Sequence, residues 1–157
     1  MEFISRSAEQ TRRAGMRMGA LLEPGDLICL VGDLGAGKTT LVQGIAAGWG
    51  SLDQVSSPTF VLVNVYRGPQ QLRLFHVDAY RLKSPLEAED LDLDMMLRAG
   101  PMVIEWADRI KPVLPEENLW VSMRWIDAQQ RDLVISAHGE RYQLLLLAFR
   151  RQVFGVR

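Results

Sequence analysis

An apolar run from Leu27 to Val31 passes straight into Gly32-Asp33-Leu34-Gly35-Ala36-Gly37-Lys38-Thr39, and the residues that follow, Thr40 to Ala47, are rich in Leu, Val, Ile and Ala. Every fixed position of the Walker A pattern is met. A loop of this kind works only between a strand and a helix, so it dictates a β-loop-α unit and with it an α/β chain. Each residue type answers a physical need. Gly35 and Gly37 open backbone conformations closed to other residues and let N–H groups approach phosphate oxygens. Lys38 supplies charge for β- and γ-phosphates, Thr39 offers a hydroxyl to Mg²⁺, and the start of the helix favours an anion. Residues Gly32 to Thr40 are therefore expected to bind a nucleotide. The alternative is an ordinary glycine-rich turn, and the buried segments on either side disfavour it.

Around this unit the chain reads as one domain, residues 1–157, with no repeat or low-complexity tract. A short strand is expected over Glu2 to Ser5. Ser7 and Gln10 make a capping box for a helix running to about Leu22, with Ala8, Thr11, Gly15, Met18 and Leu22 on one face. That stripe of small residues suggests close backbone approach ahead of contact with a flat ligand. After the P-loop helix, about Thr39 to Ala47, two strand-like runs, Thr59 to Tyr66 and Leu72 to Val77, are joined by Arg67-Gly68-Pro69-Gln70 as a hairpin. Helical composition follows over Pro85 to Arg98, then a buried strand at Met102 to Ile104. A hairpin-like pair, Leu119 to Trp125 with Leu133 to Ala137, precedes a last helix at about Arg141 to Arg151. The expected fold is a P-loop NTPase-like central mixed sheet, with antiparallel strands after the P-loop helix and helices on its flanks.

With 18 Lys and Arg against 19 Asp and Glu, the net charge of −1 gives no global pull toward nucleic acid or anionic membrane. The basic groups Arg12, Arg13 and Arg17, and Arg150, Arg151 and Arg157, read as solvated helix faces. The N-terminus lacks the continuous apolar core of a secretory signal, and the longest apolar stretch, Leu144 to Phe149, is too short to span a bilayer. A cytoplasmic protein with no membrane partner is expected, and the single Cys29 reads as a small buried hydrophobe.

Mg²⁺ held by one hydroxyl and phosphate oxygens still needs a carboxylate nearby. Asp78 and Glu105 each end an apolar run. Glu105, beside Trp106 at the end of a buried strand, would be desolvated without a cation, so it is the first choice for positioning metal or water. Strand alternation puts Leu74, His76, Asp78 and Tyr80 on one face, with His76 open to a structural or a chemical role. Ser56-Ser57-Pro58-Thr59 is a proline-stiffened turn whose hydroxyls suit a sensor of nucleotide state, or simply a turn.

Four segments together, Gly32 to Thr40, Ser57-Pro58-Thr59-Phe60, His76-Val77-Asp78-Ala79-Tyr80-Arg81 and Ile104-Glu105-Trp106, resemble the bacterial TsaE (formerly YjeE) family in order and spacing, over nearly the whole chain. The resemblance implies ATP and Mg²⁺ as cofactors bound by the 32–40 loop, metal ligation by Thr39 and Glu105 with Asp78 nearby, and a switch-like loop at Ser57 and Thr59. It also implies that Thr11 and Arg131 lie near the base or ribose. The function implied is that of an ATPase accessory to tRNA threonylcarbamoyladenosine modification, docking on TsaD and TsaB, weak alone, and reaching tRNA through them. Lys38, Glu105 and Asp78 are the expected catalytic residues. One segment departs from the family pattern, Asp92-Leu93-Asp94-Met95-Met96-Leu97. The competing readings are a small-metabolite or nucleoside kinase, for which no arginine-rich lid is evident, and a nucleotide-binding module that never hydrolyses. A GTPase would carry Asn-Lys-x-Asp or Thr-Lys-x-Asp and an ABC ATPase Leu-Ser-Gly-Gly, and the sequence has neither.

Overall fold

The computed structural model describes residues 1–33, 35–56 and 62–155. Its strands are β1 (Glu2–Ser5), β2 (Leu27–Val31), β3 (Val63–Arg67), β4 (Arg73–Asp78), β5 (Met102–Glu105), β6 (Asn118–Trp125) and β7 (Arg131–His138). Its α-helices are α1 (Ala8–Gly19), α2 (Lys38–Trp49), α3 (Pro85–Glu89), α4 (Leu93–Ala99) and α5 (Glu140–Phe154). Among the described residues the strands form one mixed sheet in the order β1-β7-β6-β2-β5-β4-β3. A parallel block, β6-β2-β5-β4, occupies the centre, and β3 and β7 pair antiparallel to its two sides.

The all-apolar sequence of β2 follows from this central place. Ile28 and Leu30 face a core built with Met18, Leu41, Ile45, Leu145 and Phe149 of α1, α2 and α5. Leu27 and Cys29 face the opposite layer, with Val77, Ala88, Leu93, Ile104 and Ile110. A strand covered on both sides needs no polar alternation. The Cys29 thiol is pushed up to about 12 by burial, so at pH 8 its thiolate fraction is on the order of 10⁻⁴. Labelling by a thiol reagent at pH 8 is expected to track the urea unfolding curve; rapid labelling of the native chain would mean that β2 opens without global unfolding.

The small-residue stripe of α1 packs on backbone. A Cβ placed on Gly15 would stand 2.4 Å from the Leu41 carbonyl oxygen, and one on Gly19 2.0 Å from that of Ile45. The contact is reciprocal, since a Cβ on Gly44 or Gly48 would stand 2.1 or 1.9 Å from the Arg12 or Met16 carbonyl oxygen. Two Gly-x-x-x-Gly pairs thus bring α1 and α2 together side by side, pointing the same way. At the far end of β2, Arg141 of α5 grips the buried Asp26 carboxylate through Nε (3.0 Å) and Nη2 (2.7 Å), which ties the last helix to the strand that feeds the P-loop.

Several boundaries differ from the sequence reading, most of them by one to three residues. α1 stops at Gly19, and beyond the Ala20 cap the chain tightens through bonds from Leu21 N to Met18 O and Leu22 N to Gly19 O. α2 runs on to Trp49 before Gly50 caps it in the left-handed region. The helix expected over 85–98 is two short helices, because Asp92 takes φ 53° and turns its carboxylate onto the Met95 N–H as a fresh N-cap. This break falls in the segment that departs from the family pattern.

Candidate functional site

Gly37 caps α2 at φ 96°, ψ 15°, a left-handed conformation that a side chain would strain, and from there the chain turns into Lys38 and Thr39, the first two residues of the helix. Ala36 packs into the core. Lys38 is 6% exposed. Its Nζ donates to the carbonyls of Gly32 and Asp33, the latter at 3.2 Å, and lies 3.9 Å from the centre of the Trp106 ring. Burial pushes the Lys38 pKa down, against the opposing pull of Glu105, Asp33, Asp78 and Asp108. Leu34 lies outside the described residues.

Register brings the two carboxylates to the same edge. Leu30 of β2 pairs with Glu105 of β5, and Glu105 in turn with Asp78 of β4, so both acids sit at strand C-termini beside the start of the loop. The Ala79 N–H donates to the Glu105 carbonyl at 3.0 Å, and the Tyr80 N–H to Asp78 Oδ1 at 2.9 Å. Asp78's pKa is raised by burial and further by the negative charge of Glu105, while the Tyr80 N–H, His76 and Lys38 pull it down. Burial and the charge of Glu105 both disfavour the ionised form of Asp78, and two acids so placed beside the start of the loop are a donor set that a hard divalent cation would relieve. Among the described residues no three His, Cys, Asp or Glu side chains form a cage on their own. The set therefore suits Mg²⁺ held partly by phosphate, as is usual for that ion.

The sequence reading gave Glu105 a cation for a partner; its protein partner is His76. The imidazole Nε2 lies 2.5 Å from Glu105 Oε2, and the ring is wholly buried. Arg131 approaches the loop from the other side, and Thr11 is tied to its strand partner Ser5. Arg131 Cγ and Nε each stand 3.6 Å from where a Cβ on Gly37 would be, and Arg131 pairs across the sheet with Ser5. Ser5 Oγ shares a 2.7 Å hydrogen bond with Thr11 Oγ1. Thr11 is 1% exposed, and its hydroxyl also donates to the Ser7 carbonyl at 3.3 Å. Arg131 is the member of the pair that touches the loop. Ser57 and Thr59 lie outside the described residues.

Residues 5–133 match the family model described as threonylcarbamoyl adenosine biosynthesis protein TsaE. The chain belongs to the TsaE family. It is 39% identical over 137 residues to the tRNA threonylcarbamoyladenosine biosynthesis protein TsaE of Treponema pallidum (strain Nichols), covering 87% of this chain and 100% of that protein. With the protein of the same name from Bacillus subtilis (strain 168) it shares 38% over 138 residues, 87% of this chain and 85% of that one. The crystal structure of Bacillus subtilis YdiB superposes with a TM-score of 0.81 at 31% identity, covering 98% of this chain and 95% of that chain.

In this TsaE-family chain the wall opposite the loop is aromatic. Trp106 follows Glu105 at φ 58°, ψ 37°, a conformation rare for a bulky side chain, and such outliers gather at functional sites. Its ring packs on Tyr80 at 4.9 Å between centres, and the Arg109 guanidinium lies 5.0 Å over Tyr80. Sequence reasoning left the role of Trp106 open and took Arg109 only as one of three arginines, with Arg81 and Arg98, too scattered to define a lid. Tyr66, whose hydroxyl lies 2.9 Å from His76 Nδ1, was missed. Its signal is hairpin register: Asn64 pairs with His76, which sets Tyr66 beside the histidine on the same face.

Proposed function

We propose that the chain is the Mg²⁺-dependent ATPase of tRNA threonylcarbamoyladenosine biosynthesis, a P-loop NTPase domain over residues 1–157 that works in the cytoplasm with TsaD and TsaB and reaches tRNA through them. The observation that carries this reading is the meeting of Lys38 with Glu105 and Asp78 at the mouth of the Walker A loop. The names of its relatives supply the pathway. Among the described residues no helix is long and apolar enough to cross a membrane.

In this reading the N–H groups of Gly32 to Thr40 cradle the phosphates, and Arg131, beside Gly37, flanks the nucleotide. Lys38 exchanges its bonds to the Gly32 and Asp33 carbonyls for γ-phosphate oxygens. A preorganised ammonium in a water-poor pocket stabilises the charge that grows there as the γ-phosphoryl group transfers to water. Mg²⁺, when bound, neutralises charge on the β- and γ-phosphate oxygens. Thr39 and Glu105 would hold it, with Asp78 close by, and the two carboxylates would orient the attacking water. Water oxygen bonds to the γ-phosphorus, the bond to the β–γ bridging oxygen breaks, and ADP leaves. Ser57 and Thr59 report which nucleotide is present.

The sequence offers no evident arginine finger already in place, so turnover by the chain alone is slow and partner docking raises it. The test measures ATP hydrolysis by the full chain with and without TsaD and TsaB, in Mg²⁺ and in EDTA. The expected result is at least a ~10-fold rise with partners and loss in EDTA. Equal rates with and without partners would sink partner activation, and a rate indifferent to EDTA would sink the metal assignment.

A further inference from the structure

The polar groups behind Glu105 form a line across three adjacent strands. Glu105 Oε2 on β5 is 2.5 Å from His76 Nε2 on β4, and His76 Nδ1 is 2.9 Å from the Tyr66 hydroxyl on β3. The Tyr66 hydroxyl lies 3.5 Å from the Ser56 carbonyl, which also accepts from Asn64 Nδ2 at 3.3 Å. Glu105, His76 and Tyr66 are respectively 6%, 0% and 3% exposed, so water does not compete for these bonds.

Direction follows from donor chemistry. A carboxylate only accepts, so His76 Nε2 carries the proton, and in the neutral ring Nδ1 accepts from the Tyr66 O–H. The ring is thereby fixed in one tautomer and orientation, and it occupies one of the two Glu105 oxygens. The other oxygen is left for the nucleotide side. Replacing buried groups that bind no metal themselves but orient a side chain that does typically costs about 10- to 100-fold in metal affinity or activity.

We propose that His76 and Tyr66 are positioning residues for the Mg²⁺·nucleotide site: the tyrosine fixes the histidine tautomer, and the histidine aims the Glu105 carboxylate. The inference rests on the reading of Glu105 as a metal-positioning group.

The test titrates Mn²⁺ into the full chain saturated with a non-hydrolysable ATP analogue, with bound metal read by electron paramagnetic resonance, alongside metal-free affinity for the analogue. Nitrogen shifts of the His76 ring report its tautomer. His76→Asn keeps a group at the Nδ1 position and loses the one at Nε2, whereas His76→Gln keeps an amide near Nε2. Mn²⁺ affinity is expected to fall about 10-fold or more in His76→Asn, to return to within about 3-fold of the parent in His76→Gln, and to fall by an intermediate factor in Tyr66→Phe. Metal-free affinity stays unchanged in all three, and Tyr66→Phe releases the single-tautomer ring signal. Unchanged Mn²⁺ affinity in His76→Asn and Tyr66→Phe, with only a lower melting temperature, overturns the proposal and leaves His76 a packing residue. Tyr66→Phe removes one oxygen and no other atom, so it decides the matter if His76→Asn does not fold. If the parent chain binds no Mn²⁺ with the analogue, or Glu105→Gln binds it as tightly as the parent, the underlying reading fails and the proposal falls with it. A parent and a Glu105→Gln variant that behave as expected beside indifferent Tyr66 and His76 variants sink the positioning role alone.

Discussion

Lys38→Ala should cut ATP turnover by about 100- to 1,000-fold, the loss that follows removal of a preorganised donor from a developing charge. The effect is expected in the single-turnover rate as well as at steady state, because the ammonium acts on the phosphoryl transfer itself. Lys38→Arg should not rescue it. The pocket between the Gly32 and Asp33 carbonyls and the Trp106 face holds a compact ammonium, and a planar guanidinium needs a wider fork. Stability should move the other way. Burial disfavours the charged form of this lysine, so Lys38→Met, which keeps the chain length and drops the charge, should leave the unfolding midpoint unchanged or higher. An inactive variant that is also much less stable would mean that Lys38 serves the fold and not the phosphate.

The second large effect concerns stability. In an exposed helix, Gly→Ala ordinarily gains up to about 1 kcal/mol. In Gly48→Ala the sign should reverse, with a loss of about 3 kcal/mol or more, because the new methyl would stand 1.9 Å from the Met16 carbonyl oxygen and neither helix backbone can yield locally. Gly19→Ala, at 2.0 Å from the Ile45 carbonyl oxygen, should behave alike. Urea unfolding followed by circular dichroism measures both. A neutral or stabilising result would show that α1 and α2 separate freely.

The parts legible in the sequence were those written in local patterns. The Walker loop, the doubly buried β2 and the hairpin of β3 and β4 each depend on residues a few positions apart. Glu105 could be singled out because a carboxylate closing an apolar strand is costly wherever it lies. What covers that carboxylate could not be found, since His76 is 29 residues away and meets it only through the parallel register of β4 and β5. The α1 stripe read as a place for close backbone approach, but its partner went unnoticed because Gly44 and Gly48 are hidden among the Leu, Val and Ile of α2. The break between α3 and α4 turned on Asp92, whose left-handed backbone is uncommon outside glycine and asparagine-like residues.

The glycine contact between α1 and α2 also bears on how such a site can change over time. Most packed surfaces adjust by trading one side chain for another of slightly different size, in steps the fold tolerates. At Gly15, Gly19, Gly44 and Gly48 there is no side chain to trade, so at those points the helix that carries Lys38 and Thr39 is held by a fit that ordinary substitution cannot tune. Adjustment of turnover is left to the strand ends across the cleft, where Asp78, Trp106 and Arg109 can be exchanged without unseating the helix beneath the phosphates.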